Sequence, residues 1–267
     1  MSESVLKISR RGRVQMLTLN RPEVKNALNG ELVDALSRAL EEAKAAGADI
    51  RAILLTGAGG AFCAGADLSM LKGLRTAGSR ENLEDSLKLK RLYLALLSHP
   101  LPIIASVDGP ALAGGCGLAS ACDVILASEW ASFGYPEVRV GFVAAMVSVL
   151  LARQLGDRVA RELLLTGRTL GAEEAMRMGM VNRIVPAERL EEEALAFARK
   201  LSQGAPSGLA LTKELLLETS GMSIERAVDF AARVNVFART GPEMREGLDA
   251  FFSKRRPSWI ANDADSD

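Results

Sequence analysis

Ile103-Ile104-Ala105-Ser106-Val107-Asp108-Gly109-Pro110-Ala111-Leu112-Ala113-Gly114-Gly115-Cys116-Gly117 is the stretch from which the fold can be read. Its first five residues form a short apolar run without polar alternation, as expected of a strand buried on both faces. Gly109-Pro110 then turns the chain, and the Gly-rich run leads into a helix through Ala121. The same order stands earlier in the chain. Ala52-Ile53-Leu54-Leu55-Thr56 reads as a buried strand, Gly57 to Gly65 as a Gly-rich turn, and Leu68 to Arg75 as a short helical piece. Ahead of it, Val14 to Leu19 is a strand closed by Asn20-Arg21-Pro22. Asn29 is placed to cap a helix over Glu31 to Ala46, whose Leu32, Leu36, Leu40 and Ala43 make one apolar stripe.

An amphipathic helix is predicted from Leu83 to Ser98, stopped by Pro100 and Pro102, and further strands at Asp123 to Ala127 and Ala131 to Gly134. Beyond Ala144 the pattern is almost wholly helical, in segments at 144–155, 159–164, 172–178, 188–202, 207–219, 224–239 and 242–254. No Pro/Gly/Ser-rich linker divides the chain, and disorder is expected only around Thr76 to Asn82 and in the tail Asn262 to Asp267. The class is therefore α/β, with a core over residues 1–200 and a helical C-terminal segment over 201–267.

Composition narrows the chemistry. The 267 residues hold 33 Lys plus Arg against 33 Asp plus Glu, which argues against a broad electrostatic hold on nucleic acid or anionic membrane. The longest apolar stretch, Val140 to Ala152, falls short of the ~20 residues that span a bilayer. Met1-Ser2-Glu3-Ser4 lacks the basic start of a secretory signal. Cys63, Cys116 and Cys122 show no CxxC or metal-ligand spacing and read as reduced, mostly buried thiols, so a cytoplasmic protein is expected. A single histidine, His99, excludes HExxH hydrolases and three-His zinc sites, and no metal site is expected. Wedged before Pro100, His99 reads as structural or surface-exposed rather than as part of a triad.

Each Gly-rich turn follows a buried strand and precedes a helix, so its backbone N–H groups are open to an anion or simply close a tight corner. Nucleotide fingerprints fail: Phe62 stands where the third glycine of GxGxxG belongs, and no GxxxxGK[ST] occurs. With histidine set aside, proton transfer falls to other groups, and Glu137 in Phe133-Gly134-Tyr135-Pro136-Glu137 is the best placed carboxylate. The apolar segment Val138 to Leu151 beside it would desolvate it and raise its pKa, as suits an acid/base. An ordinary surface glutamate at a strand end is the competing reading.

Several blocks stand out in order: Leu17-Thr18-Leu19-Asn20-Arg21-Pro22-Glu23 with Lys25-Asn26-Ala27-Leu28, and Ala61-Phe62-Cys63-Ala64-Gly65-Ala66-Asp67-Leu68. Gly109 to Asp123, Phe133 to Gly141, Gly179 to Asn182 and Phe251 to Pro257 continue them over nearly the whole chain. Taken together, these blocks resemble the crotonase (enoyl-CoA hydratase/isomerase) superfamily. The resemblance implies a spiral of ββα units and an acyl-CoA thioester substrate, with coenzyme A as part of that substrate and no other cofactor. It implies that the backbone N–H groups of Ala66 and Gly114 form an oxyanion hole, where the loss of one donor can cost ~3–4 kcal/mol. It further implies that Lys25, Ala27 and Leu28 contact coenzyme A, that Ala64, Asp67 and Leu68 line the channel, and that Phe251 and Lys254 complete the site. For each lysine, plain solvation is the alternative. A trimer or dimer of trimers follows from the same resemblance. The apolar residues Ile224, Ala227, Val228, Ala231, Ala232 and Val234 fit a helix covered by another subunit.

One position departs from the pattern. The resemblance implies two glutamates holding one water in hydratases; Glu137 fills the second place and Gly117 occupies the first. Three activities fit this arrangement: a hydratase with an incomplete pair, a single-glutamate Δ3,Δ2-enoyl-CoA isomerase, or a low-turnover acyl-CoA-binding interaction protein. Asp123, six residues on, is expected to serve structure.

Overall fold

The computed structural model describes residues 4–74 and 76–260, with the backbone alone at positions 68, 71 and 74. Its strands are β1 (Leu6–Arg11), β2 (Val14–Leu19), β3 (Ala52–Gly57), β4 (Ile103–Val107), β5 (Pro110–Leu112), β6 (Val124–Ser128), β7 (Ser132–Gly134), β8 (Thr169–Gly171) and β9 (Arg183–Val185). The helices are α1 (Gly30–Ala45), α2 (Leu68–Leu74), α3 (Ser79–Leu97), α4 (Gly114–Ser120), α5 (Ala145–Leu155), α6 (Asp157–Thr166), α7 (Ala172–Arg177), α8 (Leu190–Ser202), α9 (Pro206–Thr219), α10 (Ile224–Thr240) and α11 (Pro242–Phe252).

Six strands form one sheet in the order β1-β2-β3-β4-β6-β9, antiparallel at β1–β2 and parallel from β2 onward. A second sheet, β5-β7-β8, stands beside it. The continuous apolar runs of β3 and β4 are explained by two covers. Ile53, Leu55, Ile103 and Ala105 join Leu32, Leu36 and Leu40 of α1 in the main core. Ala52, Leu54 and Ile104 turn the other way, onto Leu190, Ala194 and Ala198 of α8. Side chains alternate across the pleat, so a strand buried on both faces needs apolar residues at every position.

Four strands escape the sequence reading. β1 is an edge strand with five of six residues exposed, so its Lys and Arg hide the pairing with β2. β8 and β9 have three residues each, too few to show a period, and β5 begins at Pro110, inside the expected turn. The loop expected at Thr76 to Asn82 is a correction: α3 begins at Ser79. Glu81 accepts the Gly78 N–H at 3.3 Å, and Arg80 pairs with Glu84 at 3.1 Å, so the first turn is held by local charge. The tail Asn262 to Asp267 and Arg75, at the end of the predicted short helix, lie outside the described residues.

Candidate active site

Three chain segments converge at one end of the large sheet. After a 3-10 turn at Pro22–Val24, Lys25 and Asn26 adopt φ of 51° and 56°, a left-handed bend that asparagine tolerates better than lysine. Asn26 is fully buried and holds the bend. Its Oδ1 accepts the Arg21 N–H at 2.8 Å, and its Nδ2 donates to Ala58 O at 2.8 Å and Ala61 O at 2.7 Å. The chain then runs beside the first Gly turn. Ala64 N–H donates to Lys25 O at 2.9 Å, Leu28 N–H to Gly65 O at 2.7 Å, and Asp67 N–H to Leu28 O at 2.9 Å. Arg21 clamps the same corner, donating to Ala27 O and, at 2.7 Å, to Asp67 Oδ2. Ser69 donates to the other Asp67 oxygen, and these bonds, Ser69 first and Arg21 next, hold the carboxyl down at about 2.

The two Gly turns meet through Cys63 and Ala111. Cys63 N–H donates to Pro110 O at 3.1 Å, and Leu112 N–H returns to Cys63 O at 2.9 Å. Gly65 has φ 95°, and a Cβ there would lie 2.7 Å from Ala113 Cβ and 3.4 Å from the Gly114 nitrogen. A Cβ at Gly115 would stand 2.1 Å from Cys63 O. Only bare backbone allows this approach. Ala113, with φ 51° and ψ −127°, is strained for an L-residue and ends the turn just before α4. Among the described residues, no acceptor takes the N–H of Ala66 or of Gly114. The turns therefore leave two backbone donors free where they adjoin.

Glu137 reaches this end of the sheet through β7, because Ala113 N–H donates to Gly134 O at 2.8 Å. A 3-10 turn from Pro136 to Val140, closed by Gly141 at φ 74°, carries the glutamate. Its side chain is half-buried, and Oε2 is fully buried with no hydrogen-bond partner among the described residues. Burial pushes the carboxyl above its ordinary range. An unsatisfied buried acceptor costs about 1–3 kcal/mol, so its persistence points to use rather than to stability.

Two features here carry little signal in the sequence. Tyr93, on the apolar stripe of α3, is buried and donates its hydroxyl to Gly114 O at 2.8 Å. Burial is the main cause that pushes that hydroxyl up, and the nearby Glu137 carboxylate adds to it. Gly117, where the resemblance puts a first glutamate, is closely covered by side chains: a Cβ would lie 2.1 Å from Val147 Cγ1 and 2.8 Å from the Tyr93 oxygen, so both would have to give. Only an aromatic with a polar tip in an otherwise apolar stripe hints at Tyr93 in the sequence.

Leu28 packs against Gly114, with Cδ1 at 3.5 Å from a Cβ built there, and Ala27 is buried behind it. Ala64 and Ala66 are partly exposed, Lys25 is exposed, and Leu68 opens α2 with its side chain outside the described residues. Phe251 and Lys254 are exposed at the end of α11. Among the described residues, no hydrogen bond or ion pair joins them to these turns. His99 is structural: Nε2 bonds Leu40 O at 3.0 Å and Nδ1 accepts Leu101 N–H at 3.1 Å. All three cysteines are free and buried, and burial pushes Cys63 up to about 12. Asp123 accepts from Ile103 N–H at 2.7 Å and from Lys213 at 2.6 Å, the expected structural role.

A mixed α/β fold with two Gly turns whose Ala66 and Gly114 N–H groups have no acceptor among the described residues, and a desolvated glutamate beyond them, fits the family resemblance seen in the sequence. The comparisons agree: the family described as "Enoyl-CoA hydratase/isomerase" matches residues 9–262, and the chain belongs to it. It is 46% identical to the Thermus thermophilus protein called "Putative enoyl-CoA hydratase", over 93% of this chain and 98% of that one. A rat protein, "Enoyl-CoA hydratase domain-containing protein 3, mitochondrial", is 34% identical over 92% of this chain and 81% of its own length. Among solved structures, an enoyl-CoA hydratase of Mycobacterium smegmatis superposes with a TM-score of 0.89 at 35% identity, covering 97% of this chain and 100% of that one. One from Shewanella pealeana gives 0.90 at 31% identity, covering 96% of each chain. The fold is thus the crotonase fold. No helix among the described residues is long and apolar enough to cross a membrane.

Proposed function

We propose that this protein adds water across the 2,3 double bond of a 2-enoyl-CoA. The observation that carries the reading is the buried, partnerless Glu137 Oε2, at the sheet end where the Ala66 and Gly114 N–H groups are free. Water oxygen bonds to C3 while one of its O–H bonds breaks, and Glu137 takes that proton. The π electrons of the double bond move toward the thioester, giving an enolate whose oxygen the two N–H groups stabilise. The enolate then re-forms its carbonyl as C2 takes the proton from Glu137. One carboxyl thus serves as base and then acid, with no net proton change.

Lys25 and Lys254 meet the phosphates of coenzyme A, while Ala27, Leu28, Ala64 and Leu68 line the channel. Asp67 acts through Arg21 and Ser69, which hold the corner that presents Ala66. Residues 1–200 form the catalytic core, and 201–267 serve assembly into a trimer or dimer of trimers and completion of the coenzyme A site. No further cofactor is called for. The buried free thiols suit a reducing cytoplasm.

A second reading, Δ3,Δ2-enoyl-CoA isomerisation, is favoured by the closed space at Gly117, since moving a proton between two carbons needs one carboxyl and no water. Crotonyl-CoA and a 3-enoyl-CoA separate the two. Loss of the conjugated enoyl absorbance from the first is the expected result. Its appearance from the second, with crotonyl-CoA untouched, would replace hydration by isomerisation.

A further inference from the structure

A water that attacks carbon must be held by its hydrogens, so that a lone pair is left facing the carbon. Two acceptors do this; one carboxylate fixes only one O–H. Glu137 supplies one acceptor, and Gly117 has no side chain to supply a second; a Cβ there would lie 2.1 Å from Val147 Cγ1. The polar atom that occupies this place is the Tyr93 oxygen, 2.8 Å from that Cβ position and 3.3 Å from the one built on Gly114. A phenol has one hydrogen and two lone pairs. Tyr93 donates its hydrogen to Gly114 O at 2.8 Å, so toward any further partner it is an acceptor. The Glu137 charge is near enough to act on the phenol. Tyr93 is held from behind as well, since Leu92, Tyr93 and Leu96 are the buried residues of α3.

Resting on the hydratase reading, we propose that Tyr93 is the water-positioning residue of this enzyme: its hydroxyl oxygen accepts one hydrogen of the attacking water while Glu137 accepts the other. Tyr93 and Val147 together fill the site of the missing glutamate, and the phenol takes over its hold on water without adding a second negative charge. The bond to Gly114 O commits the phenol hydrogen and leaves the oxygen lone pairs for a further donor.

Tyr93→Phe removes that oxygen and keeps the ring. Two reactions are measured on the same variant: hydration of crotonyl-CoA, and exchange of the C2 protons of butanoyl-CoA in deuterated water, followed by NMR. Exchange requires Glu137 and the oxyanion donors but no attacking water. Hydration kcat is expected to fall roughly 10²-fold, the scale of a misplaced reactant, with KM changed by less than about threefold. The exchange rate is expected to stay within about threefold of the parent. Replacing Tyr93 by 3-fluorotyrosine, which keeps the fold and weakens the oxygen as an acceptor, is expected to slow hydration a few-fold and leave exchange unchanged. Unaltered hydration in Tyr93→Phe overturns the proposal. So does an equal fall in both reactions, which would reduce Tyr93 to a prop for Gly114. A parent enzyme that exchanges protons but fails to hydrate sinks the hydratase reading itself, and the two failures are told apart by the parent's own rates.

Discussion

Glu137 is desolvated on folding, and its own backbone N–H offsets only part of that effect. Its Oε2 is buried without a partner, and burial raises its pKa above the ordinary carboxylate range. A carboxyl whose pKa is raised on folding binds more protons in the folded state between the unfolded and folded values. Its unfavourable effect is therefore absent at low pH, sets in above the unfolded value and is complete above the folded one. Glu137→Gln is accordingly predicted to raise the melting temperature at pH 7 and to lose that advantage below about pH 4, the unfolded carboxylate range. Hydration should meanwhile fall roughly 10²–10⁴-fold, the usual contribution of a general acid/base. A scan of melting temperature against pH, with crotonyl-CoA turnover on the same samples, checks both. A stability loss at pH 7 would show that Glu137 is a structural carboxylate, and retained turnover would remove it as the acid/base. The same protonation sets the acid limb of the parent's kcat/KM profile, which is expected to break above the ordinary glutamate value of about 4.3.

The first turn of α4 concentrates the site's constraints into four residues. Ala113 sits at φ 51°, Gly114 offers its N–H, Gly115 lies against Cys63 O, and Gly117 lies against Val147 of α5 and Tyr93 of α3. Gly117→Ala is predicted to cost about 1–3 kcal/mol by overpacking. Val147→Ala opens the opposing space, so the double variant should be more stable than the sum of the single effects by about 1 kcal/mol. Urea midpoints of the four proteins measure the coupling, and simple additivity would show that Val147 does not set the size limit at 117. This turn also shows what a sequence can disclose. Glycine runs after apolar strands make both turns legible in the residues themselves, whereas Ala66 and Gly114 are picked out as donors by the family resemblance. Glu137 is marked by its apolar flank, but the resemblance, not the flank, separates an acid/base from an ordinary surface glutamate. Tyr93 and Val147 are not legible, because their place over Gly117 depends on how α3 and α5 pack on α4. β1 and β9 are hidden for a related reason: an exposed edge and a three-residue strand owe their pairing to neighbours rather than to their own pattern.

At the scale of the molecule, the C-terminal helices are attached to the core largely by polar ties. Lys213 of α9 donates to Asp123 at 2.6 Å and to Leu101 O at 2.9 Å, and Arg51 donates to Gly204 O at 2.7 Å. Among the described residues of α9, α10 and α11, Ala250 alone is buried. Yet α10 presents Ile224, Val228 and Val236, spaced four and eight residues apart on one stripe, each at least 60% exposed. The helix carries enough charge to remain in water by itself, but an apolar stripe of this length is the mark of a face another chain covers. Copies of this chain are the expected cover, since most oligomers are closed assemblies of identical subunits, and the family resemblance implies three or six of them. Sedimentation equilibrium is predicted to give three or six times 28.5 kDa. Val228→Glu with Val236→Glu should lower that mass to a single chain, because two buried charges without partners outweigh a contact of this kind. If Phe251 and Lys254 complete the coenzyme A site of a neighbouring copy, the same double variant also weakens acyl-CoA binding while leaving Glu137 and the two Gly turns in place. A parent that sediments as a single chain would overturn the assembly, and a dissociated variant that binds acyl-CoA undiminished would confine the whole site to one chain.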